Sequence, residues 1–276
     1  MLKEKEVCKV LLERDVGRVY YEVYGPEQAP AVVFSHGVAM DHRSFEQQVA
    51  ALEDRYRVIV WDMPYHGRSS AIDRRLRFST TAADLTMAIM DELGVQRAVL
   101  AGLSLGSLVV QQAAHRYPDR VTAAIHISGG PLHPKYPAIL KVAIPFISVL
   151  MKLYPIKPLS RAFVEHKALA DETKAYLMET VAHTGKGVIT YLTNEMVRDM
   201  VIGLDEHPRP PALIVYGDHD LRFLKTMAEK WHDQHPNSQL VEIEDAHHVL
   251  NQDNPGAFNA ALLDFLQKID QTTGST

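Results

Sequence analysis

The feature that most constrains this chain is an alternation of short apolar runs with amphipathic segments, broken once in the middle. "KVLLER" and "VYYEVYG" flank Asp15-Val16-Gly17 and predict an opening hairpin. "AVVFSHG", ending at Gly37, and "RVIVWD", ending at Asp62, read as buried strands, and a helix is predicted from about Thr80 to Leu93 with Gly94 as its stop. "RAVLAG" and "LGSLVVQQAAHRY" form the next strand–helix pair, halted before Pro118, and "TAAIHISGG" is a further strand. "PALIVYG", "FLKTMAEKWHDQH", "QLVEIED" and a helix from Pro255 to about Ile269 restore the rhythm near the end. Near-continuous apolar strands separated by helices need cover on both faces. The expected class is therefore α/β, a mostly parallel twisted sheet with helices on both faces.

Between Pro131 and about Pro211 no strand pattern occurs, only helical segments punctuated by prolines 134, 137, 145, 155 and 158. The simplest organisation is one sheet domain from residues 1–130 and 211–276, with 131–210 inserted as a helical cap. The net charge of −5 comes without a basic stretch to track a phosphate backbone, so nucleic acid is not an expected partner. The most apolar stretch, "VAIPFISVLM", is about half the ~20 residues of a membrane span, contains Pro145 and is bracketed by Lys141 and Lys152, so stable membrane insertion is not expected. A single cysteine, Cys8, permits no intrachain disulfide, and "MLKEKEVCK" lacks the apolar run of a secretory leader. Both suit a cytoplasmic location. No His-x-x-x-His or His-x-His spacing occurs, so neither metal nor cofactor is expected. The oligomeric state is not legible.

"VLAGLSLGSLVV" places one serine between two glycines where a predicted strand passes into a predicted helix. A sharp strand-to-helix turn has no room for Cβ atoms beside its central residue, which accounts for Gly102 and Gly106. The hydroxyl of Ser104 is then held at the carboxyl end of the strand, and the helix N-terminus faces any negative charge that forms there. This is the pattern of a nucleophile elbow.

A serine hydroxyl needs a base. Of the fourteen histidines, His36, His219, His247 and His248 follow predicted strand ends, where catalytic groups of an open α/β sheet gather. "IEDAHHVLNQDNP" hangs His247 and His248 beyond the last strand, and "VYGDHD" offers Asp218 and Asp220 as the acid that would orient an imidazole. Residue chemistry alone leaves both pairs open.

With these segments in hand, the chain resembles the α/β-hydrolase superfamily over nearly its whole length apart from the insertion. "FSHGVAMDHRSFEQQ" is similar to its His-Gly oxyanion loop. "WDMPYHGRSS" is similar to its Asp-x-x-Gly-His-Gly-x-Ser segment, with Tyr65 where the first glycine is usual. "YGDHD" resembles its Gly-x-x-Asp turn, which implies Asp220 as the acid. The resemblance also implies His248 as the base, seven residues before Pro255, with His247 in the usual glycine position. It implies the backbone N–H groups of Val38 and Leu105 as the oxyanion hole, a structural role for His36, and a lid at the insertion. His66 and Arg68 read as turn-stabilising. In the lid, Phe146, Leu150, Met151 and Leu153, together with Met196 and Met200 at i, i+4, are candidates for the substrate wall.

The function expected from these residues is a cofactor-free serine hydrolase acting on a small-molecule carboxylic ester. Because the triad segments carry no spare cation, small to medium neutral acyl groups are favoured. The same machinery serves lactones, thioesters or carbon–carbon bonds, and a small-molecule receptor with slow turnover is the alternative outside enzymology. Ser104 disfavours epoxide and dehalogenase chemistry, which in this fold uses an aspartate nucleophile.

Overall fold

Eight strands form one sheet in the order β1-β2-β4-β3-β5-β6-β7-β8 in a computed structural model that describes residues 8–273 apart from 143–145, 147–148, 150–152, 154–155 and 207–209. The opening hairpin pairs β1 (Cys8–Arg14) with β2 (Gly17–Tyr24), and β2 pairs antiparallel with β4 (Arg57–Trp61). From β4 onward, β3 (Ala31–Ser35), β5 (Ala98–Leu103), β6 (Val121–Ile127), β7 (Ala212–Gly217) and β8 (Ser238–Ile243) all run parallel. Their carboxyl ends therefore share one edge of the sheet.

Alternate residues of each strand feed opposite faces. Val33, Ile59, Leu100 and Ala124 pack on one side with the helices Phe78–Glu92 and Leu105–Arg116. Val32, Phe34, Val60, Ala101 and Leu213 pack on the other with Phe258, Leu262 and Leu266 of the helix Pro255–Thr273. Two apolar layers explain why these strands read as unbroken hydrophobic runs.

Between β6 and β7 the described residues hold helices and no strand, the longer ones being Ile156–Glu165, Asp171–Thr184 and Lys186–Ile202. Polar ties fasten them to the sheet domain. The guanidinium of Arg77 donates to buried Asp199 at 2.7 Å, Arg43 pairs with Glu179 at 2.9 Å, and the Asp41 N–H donates to Tyr176 Oη at 2.9 Å. Among the described residues no helix is long and apolar enough to cross a membrane.

Candidate active site

Ser104 sits between β5 and the helix Leu105–Arg116 with φ 54° and ψ −108°, a conformation that non-glycine residues rarely adopt. The flanking glycines make it possible. A Cβ on Gly102 would lie 2.2 Å from the Gly106 carbonyl oxygen, and one on Gly106 would lie 2.1 Å from the Ser35 carbonyl oxygen. The turn thus packs directly on the end of β3. Leu105 opens the helix, so its N–H is among those without an intrahelical acceptor. Val38 follows Gly37, whose added Cβ would touch Ser104 Cβ at 3.5 Å, and Val38 lines a cavity with Ser104.

The loop from Gly37 to Met40 is braced by two buried imidazoles. His36 Nδ1–H donates to the Gly37 carbonyl at 2.8 Å, and its Nε2 accepts the Met63 N–H at 2.9 Å. His66 Nδ1–H donates to the Pro64 carbonyl at 3.0 Å, and its Nε2 accepts the Ala39 N–H at 3.1 Å. These tautomers follow from the partners. Burial depresses both rings, His66 to about 3, so both stay neutral and keep their acceptor nitrogen. Beneath them Asp62 accepts from the His42 N–H at 2.8 Å, His42 Nδ1 at 2.7 Å and the Arg68 N–H at 2.8 Å. Burial raises the Asp62 carboxyl, but His42, His36 and the Arg68 N–H together outweigh it and the net shift is downward. Tyr65, where glycine is usual, takes φ 71°. Its hydroxyl donates to the Ile72 carbonyl and its ring meets Tyr191 edge-on at 5.3 Å, so the strained residue also contacts the helical insertion.

Asp220 and His248 come from the loops after β7 and β8. His248 Nδ1 lies 3.1 Å from Asp220 Oδ2, and Asp220 Oδ1 accepts the Leu221 N–H at 2.9 Å. Burial pushes the Asp220 carboxyl up, yet the hydrogen bond and charge of His248 hold it below its ordinary value. For His248, burial and then the Lys167 ammonium lower the imidazole, against the opposing pull of Asp220. His248 Nε2 is buried without a hydrogen-bond partner among the described residues. Of the alternatives, His247 Nδ1 stands 4.0 Å from Asp220 Oδ1, farther than the 3.1 Å of His248. Asp218 Oδ1 accepts the Ala246 N–H at 3.0 Å, and His247 Nδ1 accepts the His248 N–H at 2.9 Å.

Ser104 and His248 line two cavities, of about 300 Å³ and about 230 Å³. Met196 lines both and Met200 the second. Phe146 and Leu153 do not. They are 71% and 78% exposed. Leu150 and Met151 lie outside the described residues. What sequence reasoning missed is Lys167, which lines both cavities, and Lys186 and Phe163, which line the first. They sit on the insertion, remote from every motif, and no spacing signal marks them. Among the described residues, two groups of acids and histidine cluster closely enough to hold an ion, Asp41–His42–Asp62 and Asp218–His219–Asp245. In the first, the carboxylates are already occupied by His42, Arg43 and backbone N–H groups.

A serine on a strained turn, an imidazole paired with a carboxylate and a loop braced by two buried histidines thus meet where the parallel strands end. The chain belongs to the α/β-hydrolase family, since the family model described as the alpha/beta hydrolase fold matches residues 30–255. It is 28% identical to 3-oxoadipate enol-lactonase 1 of Acinetobacter baylyi, over 96% of this chain and 99% of that protein. It is 26% identical to the carboxylesterase YbfK of Bacillus subtilis, over 91% and 84% of the two chains. Among solved structures, a thermophilic esterase from Thermogutta terrifontis superposes with a TM-score of 0.78 at 20% identity, covering 96% of this chain and 99% of that one, a likeness of fold.

Proposed function

We propose that the protein is a serine hydrolase of carboxylic esters, cyclic esters included, working through an acyl-enzyme on Ser104. The observation that carries this reading is the strained Ser104 opening onto the same cavities as His248, whose other ring nitrogen is held by Asp220. Ser104 Oγ attacks the substrate carbonyl while His248 Nε2 takes its proton. The oxyanion forms against the Val38 and Leu105 N–H groups, each such donor contributing about 10²–10³ in rate. Collapse expels the alkoxide, protonated by His248, and leaves the acyl-enzyme. Water then attacks with His248 again as base, releasing the acid and restoring Ser104. Asp220 keeps the imidazole in the productive tautomer and stabilises its protonated form.

The helical insertion serves as the cap over this site, and apolar Val181, Ile189 and Met196 provide the wall for a short to medium acyl chain. The names of the relatives support both open-chain and lactone substrates. The expected neutrality of the acyl group rested on triad segments without cations, and Lys167 and Lys186 change that premise. The test is a fluorophosphonate probe with peptide mapping. Ser104 alone is labelled, and Ser104→Ala loses both labelling and ester turnover. Labelling elsewhere, or an active variant, refutes the assignment. An unlabelled protein that is inert on every ester yet thermally stabilised by a small ligand is a receptor instead.

A further inference from the structure

The two cavities share Ser104, His248, Met196 and Lys167. Their described linings include two lysines and no acidic side chain. We propose that Lys167 makes this site select acyl substrates carrying a carboxylate of their own, such as half-esters of short dicarboxylic acids or lactones with a carboxylate arm. The anionic group pairs with the Lys167 ammonium while the scissile carbonyl sits at Ser104. The inference rests on the acyl-enzyme reading above and adds the substrate class.

The backbone of Lys167 is fixed beside His248. Its carbonyl accepts the N–H of Val249, the residue after His248, at 2.9 Å. The next two N–H groups, of Leu169 and Ala170, donate to Asp253 Oδ1 at 3.0 Å each, and Asp253 Oδ2 accepts the His247 N–H at 2.9 Å. One short stretch of the insertion is thereby locked to the histidine loop. The ammonium lies 6.0 Å from the Phe163 ring centroid and forms no salt bridge among the described residues. Asp220 does act on it electrostatically, but that carboxylate is engaged by His248 and the Leu221 N–H.

An ammonium held in a largely apolar cavity without a matched anion costs free energy, and here burial lowers Lys167 to about 8. It is still mostly protonated at neutral pH. Its desolvation cost is already met in the folded protein, so an entering carboxylate meets a cation set in place beforehand. A neutral acyl chain leaves it unpaired. Val181, Ile189 and Met196 can cover the few methylenes between the carboxylate and the carbonyl, and a cavity of about 300 Å³ keeps that chain short.

The experiment compares monoethyl glutarate with ethyl valerate by pH-stat at neutral pH, with fluorophosphonate labelling of Ser104 run in parallel. The wild-type protein is expected to favour the half-ester by roughly 10- to 100-fold in kcat/KM, the scale of a charge-assisted contact. Glutarate should inhibit competitively and glutaramide should not. Lys167→Met, similar in length but uncharged, should reduce the half-ester to neutral-ester ratio by about the same factor. Lys167→Arg should restore part of it. A wild-type protein that labels at Ser104 but prefers the neutral ester, or ignores glutarate, overturns the inference even if the variants fail to fold. Equal losses on both esters in Lys167→Met also overturn it, because Lys167 then acts only through His248. Absence of both labelling and turnover refutes the hydrolase reading, and the inference with it.

Discussion

Buried neutral histidines make this fold sensitive to mild acid in a way that can be measured one residue at a time. His66 and His126 are each depressed to about 3 by burial, His66 further by His36 and His126 by His235. In the unfolded chain each titrates near ~6.5. Because the folded values are the lower ones, the unfolded state binds more protons below that pH. Stability is fully present above about 6.5 and falls as the pH drops, by roughly 1.4 kcal/mol per unit for each ring. At pH 5 the two together remove about 4 kcal/mol, a large part of the ~5–15 kcal/mol that holds a typical domain. His36, His247 and His248 are shifted in the same direction and add to the slope. His42 shifts upward through Asp62, against burial, so its contribution is lost above the window, not within it. The perturbation is His126→Phe. His126 stacks on Trp231 with ring centroids 4.5 Å apart, and its Nδ1 meets Ser107 Oγ at 3.0 Å. Phenylalanine keeps the stack and loses the hydrogen bond, costing about 1 kcal/mol at pH 8. Its stability curve, measured by urea unfolding with tryptophan fluorescence at fixed ionic strength, should nevertheless be flatter by about 1.4 kcal/mol per pH unit. The two curves should therefore cross near pH 6. Parallel curves between pH 6.5 and 5 would refute the reasoning, because His126 would then titrate alike in both states.

Four further outcomes are expected. His248→Ala should reduce kcat by about 10⁶, while His247→Ala, whose ring accepts a backbone N–H, should lose less than tenfold; steady-state kinetics decide, and equal losses reverse the register. Asp220→Asn should cost roughly 10⁴ in kcat, whereas Asp218→Asn should chiefly lower Tm, because Asp218 ties down the Ala246 N–H. The pH profile of kcat/KM should rise through one ionisation below the ordinary imidazole value of ~6.5, since burial and Lys167 both favour neutral His248; a profile whose limb lies above that value contradicts the site electrostatics. Gly106→Ala should destabilise by at least about 2 kcal/mol in urea unfolding, because its Cβ would press on the Ser35 carbonyl at 2.1 Å.

How much of this molecule was legible in the chain depends on whether the physics involved is local or assembled. Strand order aside, the sheet could be read because burial on two faces leaves a local trace, a run of branched apolar residues closed by glycine or aspartate. The elbow was legible for the same reason, because backbone packed on backbone forbids a Cβ at Gly102 and Gly106. Choosing Asp220 over Asp218, and His248 over His247, needed the family resemblance. Both members of each pair are titratable and within two residues of each other, and only the loop path decides which ones meet.

The walls of the site behave differently, and the reason is geometric. A helix laid over a cavity shows one face to the cavity and another to solvent, and an apolar stripe does not say which is which. Phe146 and Leu153 were wall candidates by their apolar character, yet both are exposed. Lys167 carries no pattern that marks it. Its place at the site is made by contacts distant in sequence. Val249 holds its carbonyl and Asp253 holds the two residues after it, and both tethers come from the loop that bears His248. His248 and the cation beside it are therefore positioned by the same few hydrogen bonds. A change at Asp253 should disturb both together, lowering turnover and any preference for anionic substrates in parallel, whereas Lys167→Arg should leave the base in place and alter only the preference.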